Sequence, residues 1–108
     1  MADMMKAVVK RAMEPGISLT ARQIPSPQAG ELLVKVAVTG ICGSDVHVYE
    51  WTPGYEWMEP YLPVVLGHEF SGVVEAAGPD VSASWIRKRV ICMPGLPCGH
   101  CMYCIKGR

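Results

Sequence analysis

Val64-Val65-Leu66-Gly67-His68-Glu69-Phe70-Ser71-Gly72 is the stretch on which the fold of this chain turns. A short apolar run ends at a glycine and delivers an imidazole and a carboxylate side by side. Such a run, stopped by glycine, predicts a strand lead-in. Upstream, Gly40-Ile41-Cys42-Gly43-Ser44-Asp45-Val46-His47 brings together a thiol, a hydroxyl, a carboxylate and a second imidazole. Downstream, Cys98-Gly99-His100-Cys101-Met102-Tyr103-Cys104 carries three thiols at even spacing. Two metal sites are suggested, one in chemically reactive company and one structural.

The segments between these blocks predict short strands and turns. Met5–Lys10 and Ile17–Ile24 are strand candidates separated by a Pro15-Gly16 turn. Pro25 to Gly30 is a rigid loop, because each proline fixes its own φ and restricts the residue before it. Glu31–Thr39 is the clearest strand: Leu32, Val34, Val36 and Val38 share one apolar face that is expected to pack, and Gly40 ends it. Asp45–Trp51 predicts a helical turn capped by Ser44 or Asp45. Residues 52–63 read as a surface excursion whose rings, with Tyr49 and Trp51 just before it, either cover a small core or line a cleft beside the reactive site. Pro63–Leu66, Gly72–Ala76 and Arg89–Cys92 complete the strands, with a turn at Gly78-Pro79-Asp80. Long amphipathic helices and internal repeats are absent. The pattern predicts a mainly β fold, a small and partly open β-barrel.

The 108 residues have room for one small domain. Half are apolar and 19% are charged, a globular composition. Ten basic and ten acidic residues cancel, which gives no reason to expect nucleic acid or an anionic membrane as partner. No stretch reaches the roughly 18 apolar residues of a membrane span, and Met1-Ala2-Asp3-Met4-Met5-Lys6 does not resemble a secretory signal. Five cysteines, three of them in one cluster, fit metal ligation in a reducing compartment better than a disulfide scaffold, and a cytoplasmic location is expected.

In Cys98-x-x-Cys101-x-x-Cys104, two intervening residues let the backbone curl so that thiolates converge on one ion. Zinc takes four ligands, so three local thiolates want a fourth. Cys92 lies in an apolar run and is expected to point into the core. His100 sits inside the first pair and is poorly placed to join. Iron–sulfur ligation uses similar spacing but continues to a further Cys-Pro, which Ile105-Lys106-Gly107-Arg108 lacks, so zinc is preferred. The third alternative is three unligated thiols.

Cys42 and His68 suit zinc as ligands, and each lies beside a glycine at a predicted strand end. Ser44 could pass on a proton from an alcohol, and His47 could relay it to solvent. Asp45 could accept from the other nitrogen of His68 and fix its tautomer. Glu69 could support the metal from beside it or act as an exchangeable ligand. Zinc with an open position lowers the pKa of an alcohol, but it has no redox chemistry, so a hydride acceptor must be an organic cofactor. No Gly-x-Gly-x-x-Gly follows a strand here.

These blocks together resemble the zinc-dependent alcohol dehydrogenase superfamily, the medium-chain dehydrogenases, in their N-terminal catalytic domain. The matching text is Pro27-x-x-Gly30-Glu31-Leu32-Leu33-Val34-Lys35-Val36, Gly40 to His47, Gly67-His68-Glu69-x-x-Gly72-x-Val74-x-x-x-Gly78, and Pro97-Cys98-Gly99-x-Cys101-x-x-Cys104-x-x-Gly107. The resemblance implies a chaperonin-10-like (GroES-like) β-barrel, incomplete at its C-terminal side. It implies Cys42 and His68 as catalytic zinc ligands with Glu69 beside or on the metal. Ser44 and His47 would be the proton relay, with Asp45 orienting His68. Cys98, Cys101 and Cys104 would hold a structural zinc, whose fourth cysteine comes a few residues after Gly107.

On this reading residues 1–108 are the N-terminal part of the catalytic domain, and the Rossmann domain that binds NAD or NADP lies outside them. Asp45 to Trp51 looks similar to the threonine and polyol dehydrogenases. The expected activity is hydride transfer between a secondary alcohol and NAD(P), in a homodimer or homotetramer, with these 108 residues inactive alone. The alternative is a stand-alone zinc-binding β domain with a structural or interaction role. One departure stands out: the resemblance implies Gly-Asp-Arg-Val where this chain has Arg87-Lys88-Arg89-Val90. If that turn needs φ > 0, Arg87 carries about 1 kcal/mol of strain.

Overall fold

The computed structural model describes residues 3–107; the chain-end expectations at Met1, Ala2 and Arg108 lie outside them. Strands β1 (Met4–Lys10), β2 (Ser18–Gln23), β3 (Leu32–Thr39), β4 (Val64–Val65), β5 (Phe70–Ala77) and β6 (Arg89–Ile91) alternate with helices α1 (Gly43–Glu50) and α2 (Met102–Ile105). Two short 3-10 turns, Glu56–Tyr61 and Ala83–Trp85, fill the longer connections. The strands form two antiparallel sheets, ordered β2-β1-β4 and β3-β5-β6. The fold is mainly β, and the sheets do not close into a complete barrel.

The expected strands lie close to where the apolar alternation and the Gly and Pro punctuation put them. The core is small: Ala7, Val9, Val48, Met58 and Val74 are buried. Full burial of a side chain such as Val9 or Val74 is worth about 1.5–3 kcal/mol. Two glycines make the β3–β5 pairing possible. A Cβ on Gly72 would stand 2.2 Å from the Lys35 carbonyl oxygen, and one on Gly78 would stand 1.9 Å from that of Gln28. No side chain fits at either position.

Three expectations are corrected, and one element is added. The apolar face of β3 does not pack along its length, since Val36 is 51% and Val38 66% exposed. Its pairing with β5 shifts register between Leu33 and Val34 and again between Val36 and Val38. Helix α1 is not capped by Ser44 or Asp45. Cys42 takes the N-cap position, and the Asp45 carboxylate reaches back to accept from the Cys42 N–H at 3.0 Å. Cys92 is half-buried at the end of β6 rather than in the core, because that short strand sits at a sheet edge. Finally, the thiol cluster runs into a one-turn helix, α2, that periodicity was too short to reveal.

Candidate metal centres

The bend after β3 and the bend after β4 deliver the first centre. Gly40 N–H donates to the Glu69 carbonyl at 2.6 Å and the Thr39 hydroxyl to the same oxygen at 3.2 Å, so the two bends are tied together. Gly67, with φ 109, turns the chain just before His68. A Cβ on Gly40 would come within 3.1 Å of Glu69 Oε2, so the glycine leaves room for that carboxylate. One ligand atom from each of Cys42, His68 and Glu69 lies within 4.8 Å of the others.

The surrounding groups suit a metal. The Ser44 hydroxyl lies 3.5 Å from His68 Nε2, and Asp45 Oδ1 lies 3.7 Å from His68 Nδ1. Nε2 therefore faces Ser44, while Nδ1 faces the carboxylate. Hydrogen bonds from Ser44, through its side chain and its backbone N–H, and from His68 pull the Cys42 thiol below its ordinary value. The Cys42 partner, with help from the Asp45 charge, pushes His68 up against the opposing cost of burial. A soft thiolate, an imidazole and a carboxylate within ligating distance fit zinc.

His47 is exposed on α1 and stacks on Tyr55, with ring centroids 6.3 Å apart and planes 27° apart. Among the rings expected around the site, Tyr49 lines a cavity of 410 Å³ on the apolar side of α1, together with Val8, Ile17, Ile41, Val46 and Leu66. Trp57 and Tyr61 are exposed, and Trp51 covers Lys10.

The second centre is local. Ligand atoms of Cys98, Cys101 and Cys104 lie within 4.8 Å of one another, with Cys98 Sγ and Cys104 Sγ 3.8 Å apart. The Cys101 N–H donates to Cys98 Sγ at 3.3 Å and the Cys104 N–H to Cys101 Sγ at 3.4 Å. Amide bonds from His100 and Cys101 lower the Cys98 thiol to about 7. His100 stays out of the cluster: its Nδ1 is 2.9 Å from the Cys98 carbonyl oxygen. Three thiolates so placed also fit zinc. Sequence reasoning held Tyr55 among the rings that cover a core or line a cleft, and it stacks on His47. Lys10 was not singled out, since it carries no local signal and is covered by chain distant in sequence.

Residues 28–108 match the family model of the alcohol dehydrogenase GroES-like domain, and the chain belongs to that family. It is the N-terminal GroES-like domain of the zinc-type, medium-chain alcohol dehydrogenase superfamily. It is 41% identical to an L-threonine 3-dehydrogenase of Mesorhizobium japonicum, over all of this chain and 31% of that protein. It is 44% identical to the starvation-sensing protein RspB of Escherichia coli, over 85% of this chain and 26% of that one. A crystal structure of an Escherichia coli alcohol dehydrogenase complexed with NADH superposes with a TM-score of 0.81 at 41% identity, covering 96% of this chain and 28% of the other. A cobalt- and zinc-bound alcohol dehydrogenase from Pyrobaculum aerophilum superposes with a TM-score of 0.80 at 31% identity, covering 97% and 31%. The chain thus spans less than a third of the length of these relatives. Among the described residues no helix is long and apolar enough to cross a membrane.

Proposed function

We propose that these residues are the zinc-bearing N-terminal part of the catalytic domain of an NAD(P)-dependent dehydrogenase acting on a secondary alcohol, a polyol or the hydroxyl of threonine. The convergence of Cys42, His68 and Glu69 beside the Ser44 hydroxyl carries this reading. The threonine dehydrogenase relatives and the NADH-bound neighbour support it. When bound, zinc supplies Lewis acidity toward an alcohol oxygen and a nicotinamide supplies the hydride acceptor.

Cys42 and His68 hold the metal, with Glu69 beside or on it. Asp45 sits on the Nδ1 side of His68 and fixes the tautomer that leaves Nε2 free to ligate. Ser44 takes the hydroxyl proton of the substrate, and His47, exposed on the same helix, passes it to water. Cys98, Cys101 and Cys104 hold a structural zinc. The Rossmann domain for NAD or NADP lies outside residues 1–108, and the whole enzyme works as a homodimer or homotetramer.

The test is metal content and turnover in the full natural chain. Cys42→Ala is expected to lose one zinc and the dehydrogenase activity while the second zinc stays. Ser44→Ala is expected to keep both metals and lose about 10²–10⁴-fold in kcat. Full activity in Cys42→Ala would overturn the reading. Residues 1–108 alone are expected to produce no reduced nicotinamide.

A further inference from the structure

Lys10 ends the apolar run of β1, yet it is 0% exposed. Its ammonium donates to the carbonyl oxygens of Glu14, of Gly16 at 2.9 Å and of Tyr49 at 3.5 Å. Three donors meet three acceptors, which satisfies the buried cation. The Trp51 ring closes the remaining side, with its centroid 5.3 Å from Nζ. Trp51 is held in the left-handed region, φ 56, at the C-cap of α1, and its N–H returns to the Val48 carbonyl at 3.3 Å. Burial draws the ammonium below the ordinary lysine value, while the Glu14 charge pulls it back up.

The location of this cation matters more than its isolation. Tyr49 belongs to α1, whose N-cap is Cys42. The Gly16 N–H bonds the same Tyr49 carbonyl at 2.8 Å, so the loop after β1 and the end of α1 share one junction. On the other side, β1 carries β4: Lys10 pairs with Val64, Val9 with Val65, and the Leu66 N–H donates to the Val8 carbonyl at 2.9 Å. His68 follows two residues later. The two ligands reach the centre on two separate arms, and both arms are fastened at the end of β1.

We propose that Lys10 is a positioning residue for the Cys42–His68 centre, tying the end of α1 to the strand that carries β4 and thereby setting the spacing of the two ligands. The proposal rests on the reading of that centre as a metal site. Among the described residues no hydrogen bond joins the Cys98 cluster to this junction, and the cluster serves as an internal control. A role confined to overall stability would lower the melting temperature without changing the relative affinities of the two centres.

The experiment is a cobalt(II) titration of the metal-free full natural chain, following thiolate-to-cobalt absorption. Cys42→Ala is used to assign the bands of the cluster. Lys10→Met, which keeps the length and the burial, is expected to weaken cobalt binding at the Cys42–His68 centre about tenfold and to leave the cluster unchanged. Lys10→Arg is expected to recover part of the loss. Where Lys10→Met does not fold, Trp51→Leu uncovers the ammonium and is expected to weaken the same centre severalfold. Unchanged affinity at the Cys42–His68 centre, or an equal loss at both centres, overturns the proposal. Failure of the unaltered chain to bind cobalt at Cys42 overturns the site reading itself, and the proposal with it.

Discussion

Cys98 shows how a single residue takes its chemistry from the backbone around it. The amides of His100 and Cys101 point at its sulfur and bring the thiol to about 7, well under the usual 8.5. In chain stripped of metal, the thiolate fraction at Cys98 rises through about pH 7. Iodoacetamide is therefore expected to label Cys98 before Cys92, with a rate midpoint near pH 7 and with added zinc blocking the reaction. Peptide mapping after brief labelling across a pH series reads this directly, and a midpoint near pH 8.5 to 9 would contradict it. Cys42 belongs to a different kind of pair. Hydrogen bonds from Ser44, and then from His68, lower its thiol, and the Cys42 partner in turn raises His68. A metal ion takes the thiolate and the neutral imidazole, so binding must release the proton that this pair retains.

The turn from Trp85 to Lys88 is the element most at odds with its own sequence. Ile86 has φ −60 and ψ 135, Arg87 has φ 73, and the Lys88 N–H closes on the Trp85 carbonyl at 3.0 Å. This is a type II turn, which wants glycine at the third position. The Arg87 N–H is also committed, donating to Val74 at 2.8 Å, so the turn is fastened to β5 and cannot relax into another form. Arg87→Gly is expected to remove about 1 kcal/mol of strain, partly offset by the greater freedom glycine has when unfolded. The net result expected is a thermal midpoint a few degrees higher by circular dichroism; a lower midpoint would count against the strain. The β3–β5 pair shows the opposite case, since Gly72 and Gly78 are glycines where only glycine fits. The same spacing that carried the family resemblance is a steric requirement of the strand pair.

Across the molecule, a small core coexists with a large uncovered apolar surface. Val38 on β3, Ile91 at the end of β6, Ile41 beside the first centre, and Met93 and Leu96 before the cluster are all mostly exposed. The 410 Å³ cavity beside α1 is likewise lined by aliphatic side chains. Apolar side chains exposed in this number favour association with other apolar surface. Residues 1–108 expressed alone are expected to enhance the fluorescence of a hydrophobic dye strongly and to self-associate as concentration rises. Dye titration with analytical ultracentrifugation checks both, and a monomer that ignores the dye would contradict them.

The sequence alone determined the strands, the punctuation and the residue types of the candidate ligands. Alternation in β3, glycines at strand ends and a Cys-x-x-Cys spacing act over a few residues, where local sterics decide the outcome. The cluster of Cys98, Cys101 and Cys104 was legible in full for that reason. The first centre was legible as a set of residue types but not as a site. Cys42 and His68 meet only because two bends are tied through the Glu69 carbonyl and two arms are fastened at β1. Tertiary structure also decided the burial of Lys10. Strand alternation puts it on the face opposite Val9, and only the loop after β1 and the end of α1 cover it. The apolar face of β3 made the same point in reverse: alternation predicts which residues share a face, but whether that face is covered depends on what packs against it.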